Sequence, residues 1–144
     1  MKHIWSILCQ NSSIDDATKL LSIFSCIEEL GLTVDKNKSP KDGNLVLPIN
    51  FQLISFWTLE GQQEKKSINV KVEMIDPSEE LLGTFNKSFD IPDAAPRFRS
   101  ITNINGIKVT KGGRYIIRVS QKEAGEKKFR IVSELPLDVK ITYQ

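Results

Sequence analysis

The chain has 144 residues, 40% of them apolar, with two cysteines, one histidine and a formal charge of +2. That length suits a single domain over 1–144 that buries its core without disulfides or a metal, and the small net charge excludes a strong overall pull toward nucleic acid or an anionic membrane. No run approaches the roughly 20 apolar residues of a membrane-spanning helix, and the apolar stretch after Met1 is too short for a signal peptide, so the expected compartment is the cytoplasm.

The dominant pattern is a two-residue alternation. Ile68, Val70, Val72 and Met74 alternate with Asn69, Lys71 and Glu73, and Tyr115, Ile117 and Val119 alternate with polar neighbours such as Arg114, Arg118 and Ser120. Strands that bury one face each produce this pattern, which predicts an antiparallel all-β protein.

In chain order, Ile4 to Cys9 reads as a strand and residues 11–16, rich in Asn, Ser and Asp, as a turn. Residues 19–30 carry two patterns: Leu20, Ile23, Phe24, Ile27 and Leu30 fit a helix, whereas Leu21, Ile23, Ser25 and Ile27 fit one face of a strand. The β-rich surroundings favour strand over a short helix, and Gly31 ends the segment in either reading. Residues 35–44 read as an exposed, mobile loop. Ile49 to Leu59 is apolar on both faces and suits a central strand; residues 61–66 then turn the chain into the 68–74 strand as a hairpin.

Asp76-Pro77 stops that strand, and the next spans Gly83 to Asp90 with Phe85, Phe89 and Ile91 assigned to one face. Residues 92–96 form a proline-bracketed crossover between sheets. Phe98 to Ile104 alternates again, Asn105-Gly106 reads as a hairpin turn before Ile107 to Val109, and Lys111-Gly112-Gly113 as another before a strand over 114–120. Residues 121–127 close a hairpin onto Phe129 to Val132, and Leu137 to Tyr143 ends the chain.

Eight or nine short strands at this spacing predict a β-sandwich, with a closed barrel as the alternative. The Gly113-Arg114-Tyr115-Ile116-Ile117-Arg118-Val119 segment resembles a strand common in immunoglobulin-like domains, in which Tyr115, Ile117 and Val119 would face the core. A longer resemblance rests on Trp5-Ser6-Ile7-Leu8-Cys9, on Ser13-Ile14-Asp15 and on Leu21-Ser22-Ile23-Phe24 followed by Glu28. On these motifs the chain resembles an uncharacterised family of small bacterial immunoglobulin-like β-sandwich proteins. The resemblance implies the fold, a bacterial or phage cytoplasm and a strand over 20–27, and it carries no activity or catalytic residues.

Candidate chemistry is sparse. His3 is the only histidine and reads as an ordinary surface or edge-strand residue, so no Ser-His-Asp set or histidine metal cluster is expected. Cys9 and Cys26 read as packed free thiols, with a disulfide geometrically open to them if their strands were neighbours. The acid pairs Asp15-Asp16, Glu28-Glu29 and Glu79-Glu80 read as solvated, and no glycine-rich loop fits a phosphate cradle. Trp5, Trp57, Phe51 and Phe56 are core candidates, with a concave ligand surface as the alternative.

Charge is distributed unevenly. Residues 1–96 hold nine lysines, no arginine and fourteen acids, a balance of −5; residues 97–144 hold eleven basic residues and four acids, a balance of +7. All five arginines, Arg97, Arg99, Arg114, Arg118 and Arg130, lie in this last third. If their strands are neighbours they form one cationic patch, suited to phosphates or an acidic partner; otherwise they form a solvated face paired with the acids of the first two-thirds. The sequence therefore predicts a non-enzymatic interaction module without cofactor or metal, binding a protein partner or a second copy of itself through a sheet edge or the basic face. Nucleic-acid or nucleotide-phosphate binding through the arginines is the alternative.

Overall fold

A computed structural model describes residues 1–38, 44–59, 66–92 and 96–144. Parts of the expected 35–44 loop, 61–66 turn and 92–96 crossover, namely 39–43, 60–65 and 93–95, lie outside the described residues. Among the described residues there are nine strands and no helix: β1 (Lys2–Ile14), β2 (Leu21–Cys26), β3 (Glu29–Val34), β4 (Leu45–Thr58), β5 (Lys66–Ile75), β6 (Leu81–Ile91), β7 (Arg97–Val109), β8 (Gly113–Glu123) and β9 (Arg130–Tyr143). They build two sheets, in the orders β2-β1-β4-β7 and β3-β9-β8-β5-β6.

The alternation locates the inward faces. Phe51, Leu53 and Trp57 of the first sheet meet Ile68, Val70, Tyr115, Ile117, Val119 and Leu137 of the second in one buried cluster. Burial of such a two-sided apolar layer is the main force holding the sheets together. A polar bridge crosses it: the Trp57 indole N–H donates to Gln121 Oε1 at 2.7 Å, and Gln121 donates onward to the Met1 carbonyl at 3.2 Å. Both ring and amide are fully buried, so each satisfies a group that would otherwise be stranded.

Several expectations change. The first strand runs on through Asn11, Ser12 and Ser13, and the turn falls at 15–20, where the Asp15 carboxylate accepts from the Ala17 and Thr18 amides at 3.0 and 2.6 Å. Polar residues are tolerated in this half of β1 because it pairs only with β2 and is largely exposed. Segment 20–27 is a strand, but Gly31 does not end it: the chain stops at Cys26 and resumes as β3 through Gly31. That extra strand pairs parallel to β9, so the second sheet is mixed and only the first is wholly antiparallel.

β4 and β5 are not a hairpin, since β4 lies between β1 and β7 while β5 lies between β8 and β6 of the other sheet. Asn105-Gly106 is not a turn either. Gly106 takes φ +82° inside a continuous β7, at the place where β4 carries the one extra residue of a bulge between Leu47 and Asn50. Lys111-Gly112-Gly113 passes the chain from one sheet to the other instead of closing a hairpin. The hairpin from β8 to β9 forms as expected, and β9 continues through Pro136, which is tolerated because β3 pairs only from Asp138 onward.

At the 110–113 corner the Tyr115 hydroxyl donates to the Lys111 carbonyl at 2.6 Å and accepts from the Thr110 and Lys111 amides, each at 3.1 Å. Asp76, at the turn between β5 and β6, accepts from the amides of Ser78 and Glu80 and from the Thr110 hydroxyl. These bonds join the β5–β6 turn to the corner before β8. No helix among the described residues is long and apolar enough to cross a membrane.

Candidate functional site

The five arginines do not converge. Arg97 and Arg99 stand on β7 in the first sheet, Arg114 and Arg118 on β8 in the second, and Arg130 opens β9 opposite Gln121. Since Tyr115, Ile117 and Val119 fill the core, Arg114 and Arg118 point to the outer face of the second sheet. Arg99 lies level with Phe56 and Trp5, on the outer face of the first sheet. The two groups therefore occupy opposite sides of the molecule, and the condition for a single cationic patch fails.

Cross-strand pairing also neutralises Arg114 and Arg118. Arg114 forms a two-pronged contact with Asp138, Nε to Oδ1 at 2.7 Å and a terminal nitrogen to Oδ2 at 3.0 Å. Its guanidinium hydrogen bonds hold the Asp138 carboxyl below the usual range, and the same bonds and charge raise Arg114. Arg118 bonds Glu134 at 2.8 Å, and Lys140 bonds Glu29 at 2.9 Å. The acids come mainly from β9, not from the first two-thirds of the chain, because register places β9 directly alongside β8. An open depression of about 620 Å³ beside Arg114 and Arg118 is rimmed by Asp76, Glu79 and Glu134 as well, a mixed-charge surface that gives an anion no clear preference.

The aromatics divide. Trp57 and Phe51 are core, whereas Trp5 and Phe56 stack with centroids 5.5 Å apart on the outer face of the first sheet. The Arg99 guanidinium donates to the Lys19 carbonyl at 3.1 Å, and the Ser12 hydroxyl donates to Gln52 Oε1 at 2.6 Å. β1 carries the chain away from Trp5, so both bonds require the β1–β2 hairpin to fold back over this face. The aromatic stack thus adjoins an internal contact, not an open concave platform.

His3 is half-buried, with its ring edge against Trp57 and Nε2 2.8 Å from Ser6 Oγ, which lies 2.7 Å from Ser55 Oγ. Burial pushes the imidazole pKa down. This chain of groups faces the core, and among the described residues no carboxylate bonds the ring. Among the described residues no three His, Cys, Asp or Glu side chains are placed to hold a metal ion.

The feature missed from sequence lies where β6 and β7 flank the opening between the sheets. Among the described residues β6 pairs only with β5, and β7 only with β4, so each is an edge. Between them runs a groove of about 280 Å³ lined by Met74, Leu82, Phe85, Ile104 and Lys108. Phe85 shares one face with Phe89 and Ile91, as their spacing predicts, but burial falls steeply along the strand. Ile91 is buried, Phe89 packs on Phe98 at 5.3 Å between centroids, and Phe85 is 44% exposed. Lys87 pairs opposite the buried Val70 and so shares this inward side, its ammonium 5.1 Å from the Phe89 ring centroid. Gly83, with no atom within 4 Å of where its Cβ would lie, leaves room along the β6 wall.

Comparison of the chain with models of known families and with curated proteins finds no match, so the surfaces themselves carry the functional argument.

Proposed function

We propose that the chain is an immunoglobulin-like β-sandwich module that binds an extended segment of a protein partner in the groove between β6 and β7, the segment pairing along the edge of β6. The immunoglobulin-like assignment is supported by the order β1-β4-β7 against β9-β8-β5-β6, by the sheet-to-sheet crossovers before β5, β7 and β8, and by the Tyr115 hydroxyl bonded back to Lys111 at the start of β8. The buried tryptophan differs from the usual pattern by lying on β4 instead of the strand at the position of β5.

The observation that carries the binding reading is the conjunction of an 11-residue edge strand, β6, with an apolar groove beside it that Phe85 leaves half open. A free edge supplies backbone donors and acceptors, and a flanking groove supplies pockets for alternate side chains. Lys87 and Lys108 make no ion pair among the described residues, so acidic residues between the apolar anchors fit the segment best. An inward lysine on an edge strand discourages long sheet-to-sheet association while leaving room for one short segment. The two cysteines, both free thiols, support a cytoplasmic setting.

The test is selection of displayed peptides on the immobilised protein, followed by affinity measurement with Phe85→Glu and Arg118→Glu variants. Binding of selected peptides should weaken about tenfold or more in Phe85→Glu, which removes an anchor and adds a like charge to an acidic ligand, and stay within about twofold in Arg118→Glu. Peptides that ignore Phe85→Glu and depend on Arg118 would move the site to the outer face of the second sheet. A β6-to-β6 homodimer, detected by sedimentation and broken by Phe85→Glu, would replace a foreign segment with a second copy.

A further inference from the structure

We propose that Cys9 and Cys26 are a redox-active dithiol that a small-molecule disulfide of the glutathione class closes into a cross-strand disulfide. The two residues are register partners on the antiparallel strands β1 and β2. The Ile27 amide donates to the Leu8 carbonyl at 2.9 Å, which makes 8/27 the hydrogen-bonded rung and 9/26 the non-hydrogen-bonded one next to it. In that type of rung the Cα atoms lie about 4.5 Å apart, within the span a disulfide bridges.

Access to the two thiols is unequal. Cys9 is fully buried, whereas Cys26 is exposed and lines an open cleft of about 520 Å³ with Ile7, Ile27, Leu135 and Pro136. Burial and, after it, the neighbouring Cys26 raise the Cys9 pKa, so Cys9 is protonated at rest. Entry is therefore through Cys26.

The Cys26 thiolate attacks one sulfur of the reagent, breaking its S–S bond and releasing one small thiolate, and a mixed disulfide forms on Cys26. Cys9 then loses its proton to solvent, and its sulfur attacks the Cys26 sulfur. The second small thiolate leaves as the Cys9–Cys26 bond forms. Two protein thiols are oxidised by two electrons, and one small disulfide is reduced to two thiols. The closed loop contains the β1–β2 hairpin, and the bond lies beside Ile27, where the chain leaves the first sheet for β3.

The experiment equilibrates the folded protein with mixtures of reduced and oxidised glutathione, quenches with acid, and reads intact mass and a non-reduced tryptic map. Wild type should lose about 2 Da, with the peptide of residues 3–19 linked to that of residues 20–36, and the oxidised form should melt several degrees above the reduced one. Cys9→Ser should stop at a glutathione adduct on Cys26, and Cys26→Ser should remain unmodified. Accumulation of the Cys26 adduct in wild type without the 3–19 to 20–36 link would overturn the proposal. So would a link found only between two molecules, or one that forms only in denaturant.

Discussion

Removal of one oxygen at Tyr115 tests how the corner before β8 is held. Tyr115→Phe keeps a fully buried ring and deletes a hydroxyl that donates to the Lys111 carbonyl and accepts from the amides of Thr110 and Lys111. A net hydrogen bond is worth about 1 kcal/mol, and a buried group left without a partner costs roughly 1–3 kcal/mol. Lys111 is exposed and its backbone groups rehydrate, whereas Thr110 is half-buried, so the loss should come to about 2 kcal/mol. For a chain of this size that is a fall of roughly 5–8 °C in Tm, and in urea a shift of about 1 M in the midpoint with an unchanged slope. Paired urea melts of wild type and variant measure it. A loss below about 0.5 kcal/mol would show that water replaces the hydroxyl at no cost and that the corner is held by other contacts.

Other expectations follow from the same structure. Gln121→Leu strands the buried Trp57 indole N–H and should cost about 2 kcal/mol, read by denaturant melts and by a shift in tryptophan fluorescence. Gly113→Ala should destabilise by roughly 1–3 kcal/mol, because φ is +136° and the new Cβ would lie 2.9 Å from Pro77 Cγ; a thermal melt decides. The Asp76 carboxyl is held below its ordinary value of 3.8, chiefly by the Glu80 amide, with the Ser78 amide, the Lys111 charge and the Thr110 hydroxyl adding to it. The unfolded chain therefore takes up that proton first, and the stabilisation present above 3.8 is lost as pH falls through the lower folded value. Asp76→Asn should flatten this acid dependence in denaturant midpoints measured from about pH 5 to pH 2.5.

Much of the strand content was legible because burial on one face imposes a period of two. β5, β8 and the hairpin from β8 into β9 follow from it, as does the outward direction of Arg114 and Arg118. Sheet membership was not legible. A polar sequence such as that after β4 reads the same whether the chain returns beside itself or crosses to the opposite layer, so β4 and β5 read as a hairpin. Gly106 has the positive φ expected from its sequence signal, but the structure uses it opposite a bulge instead of in a turn. β3 carried its own alternation, with Leu30, Leu32 and Val34 half-buried; reading Gly31 as a stop hid it, and parallel pairing to a strand over 100 residues later has no local signature. The partners of the arginines depend on register between β8 and β9, and the exposure of Phe85 on β6 being an edge, both properties of the assembled sheets.

The most direct test of the binding account is amide hydrogen exchange along β6 in the presence of the tightest selected peptide. The account predicts slowed exchange at amides along β6 that do not pair with β5, together with shifts at Met74, Phe85 and Ile104 beside the groove. Protection confined to the outer face of the second sheet around Arg114 and Arg118, with β6 unchanged, would contradict it.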